Sequence, residues 1–254
     1  MQKEDITFAL FEISNAVNTT SDLDELFGKI HLSLGKIVDT QNFFIALYDP
    51  DEDYIHFPYF VDENTVGMQG TGYYAVDNPG SMSLRVIRSG ESLFIKRQSI
   101  IEYCQETKCE PSGPVAEVWI GIPLIIKGEV IGVLAVQSYT DPDRFSSNAL
   151  NLLNSVSDQI ALAIERKRAE EELIERERLI SVLYKLSNAL YITKDLDTYF
   201  QIIRDTLDDV IDAENFTIAV HDPENDVLHF RYSADRMDHT MQNPVFNVSN
   251  TSSL

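Results

Sequence analysis

EVWIGIPLIIKGEVIGVLAVQSY (117–139) is the stretch that decides the fold. Two runs rich in Val, Ile and Leu flank Lys127-Gly128, and so short a connection between such runs is a tight β-hairpin signal. Strand alternation divides the first run into two faces. Val118, Ile120, Ile122 and Leu124 make a uniformly branched face suited to lying under helices. Trp119, Gly121 and Pro123 make a roomier face that carries the only Trp. Lys127 and Glu129 interrupt the apolar run, so it is not a membrane-spanning helix.

Upstream, FFIALYD (43–49) and YIHFPYFV (54–61) flank Pro50, Asp51, Glu52 and Asp53, a second strand–turn–strand pattern. Two amphipathic helices precede it. The first spans 3–18, with Ile6, Ala9, Leu10, Ile13 and Val17 on one stripe; Asp22 caps the second, whose stripe is Leu23, Leu26, Phe27, Ile30, Leu34, Ile37 and Val38. Glycines 67, 70, 72 and 80 mark 62–80 as loop. A helix over 81–89, a strand at SLFIK (92–96) and a polar helix or loop over 98–113 lead to the decisive hairpin.

Downstream, a helix opens with Leu150, Leu153, Val156, Ile160, Ala163 and Ile164 on one face, and no Gly or Pro stops it before Leu190. Its apolar stripe fails at ERKRAEEE (165–172), where only Ala169 is uncharged. Pairs such as Arg166/Glu170 stand four apart in the weaker order, worth ~0.2–0.3 kcal/mol each. This segment is expected not to bury itself against its own domain, but to bridge domains through solvent or pair with another copy. The stripe resumes at Leu173, Ile180 and Leu183.

The segment 10–62 recurs at 183–235 with a constant offset of 173 and about 23 of 53 identities. A period that long indicates a whole domain followed by the start of a second copy. The expected organisation is a complete domain at 1–164, a charged connector helix at 165–182 and an incomplete second domain at 183–254. The stripe of the second helix recurs as Leu196, Tyr199, Phe200, Ile203, Leu207, Val210 and Ile211.

A net charge of −21 repels phosphate backbones, so nucleic acid is not an expected partner. The N-terminus has acids in its first five residues and no apolar signal core, which makes the cytoplasm the expected location. Cys104 and Cys109, five apart, would point to different sides of a helix; they form no C-x-x-C and gain no His pair, so they read as two reduced thiols. No P-loop, G-x-S-x-G, H-E-x-x-H or G-G-D-E-F motif is present. No catalytic residue and no metal ligand is assigned.

The order of elements argues an α+β sandwich. WIGIPLIIKGEVIGVLAVQSYTDPDRFSSNALNLLNSVSDQIALAIERKRAEEEL (119–173) resembles the closing half of GAF domains in bacterial sensor histidine kinases and related multidomain signalling proteins. The resemblance implies a central antiparallel sheet, terminal helices on one face and a ligand cavity on the other. It implies a regulatory sensor, not an enzyme: a small ligand is bound and its state is relayed through a dimeric helix, of coiled-coil type, to an output domain absent from this chain. The alternatives are a ligand-free dimerisation spacer and, behind it, a thiol-dependent methionine sulfoxide reductase on the same fold. The cofactor is unknown. Cys104 and Cys109 are not followed by the His of bilin-binding members, His56 is a weak haem candidate, and no metal signature is seen. Ligand contacts are expected from Trp119, Gly121, Gln137, Tyr73, Tyr74, Ser83 and Arg85. The homodimer and signalling helix is expected to use Val156, Ile160, Leu173, Ile180 and Leu183.

Overall fold

The computed structural model of the protein describes residues 2–75, 78–193, 195–208, 216–234 and 245–247. It comprises two compact units, Met1–Glu171 and Glu172–Leu254.

The first unit begins with helices α1 (Gln2–Thr19) and α2 (Leu23–Leu34). The Asp22 carboxylate accepts from Glu25 N at the start of α2, as its sequence position requires. Strands β1 (Phe43–Asp49) and β2 (Tyr54–Val61) follow. The segment 62–80 is not all loop, because Gly72–Tyr74 forms β3. It pairs Tyr54, Ile55 and His56 of β2, and a Cβ on Gly72 would lie 2.3 Å from the Ile55 carbonyl oxygen, so only glycine lets the chain approach that closely. Helix α3 (Met82–Ser89), strand β4 (Leu93–Lys96), helix α4 (Arg97–Thr107) and strands β5 (Val118–Ile126) and β6 (Glu129–Ser138) complete the unit with the first part of helix α5 (Ser147–Ile192). Lys127 and Gly128, at φ 52° and 88°, make the tight β5–β6 turn with the left-handed geometry that matches strand twist.

The six strands form one antiparallel sheet in the order β3-β2-β1-β6-β5-β4. One face is covered by α1, α2 and α5. There Ile13, Phe27 and Ile30 meet Phe43, Ile45 and the branched set Val118, Ile120, Ile122 and Leu124. Val156 and Ile160 are fully buried in this same cluster. They are therefore spent inside their own domain, and their expected role in a dimer seam is corrected: a side chain packed in its own core has no surface left for a partner.

The charged stretch 165–172 also departs from expectation. Lys167 is buried at 3% exposure, and its ammonium donates to the Thr20 carbonyl at 2.9 Å and to Glu170 at 2.9 Å. Glu171 accepts from the Leu23 backbone N–H at 2.8 Å. Polar contacts with the ends of α1 and α2 take the place of an apolar stripe, so the helix stays docked through Glu171, beyond the expected boundary at 164.

In the second unit α5 continues without interruption. Leu173, Ile174, Ile180, Leu183 and Tyr184 are exposed on it, while Val182 and Ala189 are buried. Helix α6 (Leu196–Asp208) and strands β7 (Phe216–Asp222), β8 (Val227–Ala234) and β9 (Val245–Asn247) follow. Val210 and Ile211 lie outside the described residues. The three strands are ordered β7-β8-β9. They repeat β1-β2-β3 in detail: the bulge falls between Ile45/Leu47 in one and Ile218/Ala219 in the other, and the turns use Asp53 and Asp226 at φ 49° and 52°. Tyr54↔Tyr74 has its counterpart in Val227↔Asn247. No described helix is long and apolar enough to cross a membrane.

Candidate functional site

The opposite face of the six-stranded sheet carries a cavity of about 360 Å³ in the first unit. Its floor is aromatic. Phe44 stacks on Phe60 at 5.3 Å between centroids, Phe57 meets Phe44 edge-on at 5.5 Å, and Tyr73 tilts against Phe57 at 5.8 Å. Phe57 and Phe60 stand three apart, which a regular strand would place on opposite faces. The β1–β2 bulge inserts one extra residue here and restores both to the cavity side, while Tyr59 goes to the helical side.

Trp119, 4% exposed, forms the wall contributed by β5, and Ser81, Met82 and Ser83 contribute from the start of α3. The segment 111–116 forms a lip beside them. It is tied down by Asn78 Nδ2 donating to Ser112 Oγ at 2.8 Å and by Arg97, which donates to the Val115 carbonyl at 2.7 Å and to Glu117 at 2.6 Å.

Two polar groupings face this space. Tyr73 Oη and Ser81 Oγ are 2.6 Å apart, and burial pushes the Tyr73 phenol above its ordinary pKa. At the other end Gln137 Nε2 donates to Asp62 at 2.6 Å and to Tyr139 Oη at 2.8 Å, while Tyr139 Oη donates to the same Asp62 oxygen at 2.9 Å. Burial first, then its hydrogen bond to the Asp62 carboxylate, raises the Tyr139 phenol well above the usual range. The described lining residues include no Lys, Arg or His. Among the described residues no group of His, Cys, Asp and Glu is arranged to hold a metal.

Of the expected contact residues, Trp119, Gln137, Tyr73 and Ser83 line the cavity. Three do not. Tyr74 is half-exposed and packs edge-on against Tyr54 at 5.0 Å. It is next to Tyr73 on a strand, so the two must face opposite ways. Arg85 lies over the Tyr103 ring at 4.7 Å in a separate surface depression. Gly121 is covered by Trp119, whose ring carbon would be 2.0 Å from a Cβ at that position; its role is to seat the indole, not to touch a ligand. His56 is not among the lining residues; burial lowers its pKa. The lining residues that sequence reading missed include Phe44, Phe57, Phe60 and the lip, and it also missed Asp62, which holds Gln137 and Tyr139 from outside the lining. The signal that could have found the bulge that brings the phenylalanines together is Pro58, since a strand with a neighbour on each side accommodates Pro at a bulge.

The cysteines also differ from expectation. Helix α4 ends at Thr107, and Lys108 takes a left-handed conformation at φ 53°. Lys108 N–H donates to the Gln105 carbonyl at 3.3 Å and Cys109 N–H to that of Cys104 at 3.0 Å, the paired bonds of a Schellman cap. The chain doubles back, so Cys109 comes beside Cys104 rather than to another side of a helix.

A sequence profile described as the GAF domain matches residues 20–165. The formate hydrogenlyase transcriptional activator FhlA of Escherichia coli (strain K12) is 24% identical over 187 residues, 71% of this chain. The chain spans about a quarter, 26%, of that relative's length. Among solved structures, the GAF domain of an Acinetobacter phosphoenolpyruvate-protein phosphotransferase superposes with a TM-score of 0.51 at 17% identity, covering 64% of this chain and 94% of that one. Residues 122 to 287 of a methyl-accepting chemotaxis protein give 0.51 at 19% identity, covering 62% and 97%. These two likenesses speak to the fold. With the profile match spanning more than half of the sequence, the chain belongs to the GAF domain family.

Proposed function

We propose that the first unit is a sensor that binds a small organic molecule and passes its state along α5 to an output domain outside this chain. The observation that carries this reading is the two-sidedness of β5. Trp119 lines the cavity, while its neighbours Val118 and Ile120 are fully buried on the face shared with α5. A ligand that shifts the indole therefore acts one residue away from the packing of the relay helix. The lining favours a neutral or cationic ligand with an aromatic or aliphatic body. The described wall offers no cation to an anion, and the nearby charge is the Asp62 carboxylate. FhlA is a transcriptional activator, and a regulatory role for its similar segment accords with this reading.

Two further parts belong to the proposal. Residues 183–254 are the first half of a second GAF domain, supported by the shared bulge, turn and register of β7-β8-β9. The exposed Leu173, Ile180 and Leu183 pair with the same residues of a second copy, making the active form a homodimer. The competing reading, a ligand-free spacer, also uses those exposed residues.

Native mass spectrometry of the freshly purified chain tests the sensor reading. A bound small molecule that departs on denaturation is expected, and the chain refolded without it should differ in Trp119 emission from the freshly purified chain. A bare chain from every preparation, with the same emission before and after refolding, would favour the spacer.

A further inference from the structure

A Schellman cap commonly brings the side chains at its two ends into contact, usually as an apolar pair. Here both positions are cysteine. The 3.0 Å backbone bond from Cys109 to Cys104 holds their Cα atoms near the span of about 4.4–6.8 Å that a disulfide bridges. Burial first, then the neighbouring Cys109, pushes the Cys104 thiol up to about 11. Cys104 is buried while Cys109 is partly open to solvent, and both are free. Thr107 Oγ1 lies 3.0 Å from Cys109 Sγ.

We propose that Cys104 and Cys109 form a peroxide-responsive dithiol that closes to a disulfide at the lip of the cavity. The reaction is balanced with a hydroperoxide as oxidant. The Cys109 sulfur, as thiolate, attacks one peroxide oxygen; the O–O bond breaks, the leaving oxygen takes a proton, and Cys109 becomes a sulfenic acid. The Cys104 sulfur then attacks the Cys109 sulfur. The S–O bond breaks, and the departing hydroxide takes the Cys104 proton to leave as water. Two thiols lose two electrons in all, and a dithiol reductant reverses the change by exchange.

The consequence reaches the cavity through Gly80, one of its lining residues. A Cβ on Gly80 would sit 3.3 Å from Cys109 Sγ and 2.0 Å from the Glu110 carbonyl oxygen. The segment that starts the lip is thus pressed against the start of α3. Bringing the sulfurs to a bond of about 2.0 Å repositions Cys109 against Gly80 and with it the start of the lip. This inference does not depend on a ligand being bound, so it can fail or hold separately from the sensor reading.

The test treats the full chain with hydrogen peroxide, alkylates it and digests it with trypsin, which cuts after Arg97, Lys108 and Lys127. Peptides 98–108 and 109–127 should be recovered as one cross-linked species that dithiothreitol separates. Cys104→Ser should stop at a dimedone-reactive sulfenic acid on Cys109, and Cys109→Ser should leave Cys104 a thiol. Oxidised wild type, but not Cys104→Ser, should show shifted Trp119 emission. Full alkylation of both cysteines after peroxide, or cross-links only between separate chains, overturns the dithiol. A disulfide that leaves Trp119 emission unchanged overturns its coupling to the cavity.

Discussion

The Lys167 ammonium lies 2.9 Å from the carbonyl oxygen of Thr20 and is almost wholly removed from solvent. Thr20 follows the last residue of α1, where the helix dipole is negative, and Glu171 reaches the first N–H of α2, where it is positive. One turn of α5 thus presents each sign of charge to the helix end that attracts it.

Lys167→Met keeps the stem and deletes the charge, leaving the Thr20 carbonyl without its donor. The expected loss is about 1–3 kcal/mol in urea unfolding of the full chain. Glu170→Gln, at a half-exposed partner, should change stability by less than about 1 kcal/mol. Equal effects would contradict the assignment of the Thr20 contact as the dominant one.

Gly121→Ala puts a methyl group into the Trp119 ring. The indole must move, at a cost of about 1–3 kcal/mol of overpacking. A lowered melting temperature with shifted Trp emission is expected; an unchanged emission spectrum would show that the ring is not seated on Gly121.

Tyr139 predicts an alkaline limit. Its folded-state pKa is raised by burial and by the Asp62 carboxylate, so the folded chain holds this proton more tightly than the unfolded chain. The stability it contributes is fully present below the unfolded value, about 10, and is lost as pH rises through the higher folded value. Tyr139→Phe should flatten the stability profile above about pH 10. Denaturant titrations at several alkaline pH values measure this, and a variant as steep as wild type would be the contrary result.

Substituting Leu173→Glu and Ile180→Glu together places charges in the proposed helix seam. About 3–5 kcal/mol of dimer stability should be lost for a buried, unpaired charge. Light scattering over a concentration series reads it. A wild-type chain that remains monomeric at high concentration would end the dimer proposal.

The decisive hairpin was legible because its two cues, strict alternation and Lys127-Gly128, are both local. Trp119 and Gln137 followed from that alternation. Tyr74 and Arg85 were misplaced because the face taken by a residue outside the hairpin depends on register, which sequence does not carry. The bulge at Phe57–Tyr59 reverses face parity within a strand; Pro58, which cannot donate to a ladder, marks it only once β2 is known to have a neighbour on each side. Lys167 was misread for another reason: a lysine looks like solvent-facing charge until the carbonyl that receives it, far away in sequence, is known.

In the sheet, Phe43 pairs with Val136, so the central strand β1 takes as its inner neighbour the last strand of the unit to be synthesised. During translation α1, α2, β1 and β2 emerge long before β6, and β1 carries one bare edge throughout that interval. Long-range pairing of this kind delays closure until late and exposes the waiting strand to misassembly. A ribosome-stalled chain lacking β6 should therefore be protease-sensitive throughout, and protection should arrive only once α5, which covers the helical face of the sheet as far as Glu171, has also cleared the exit tunnel.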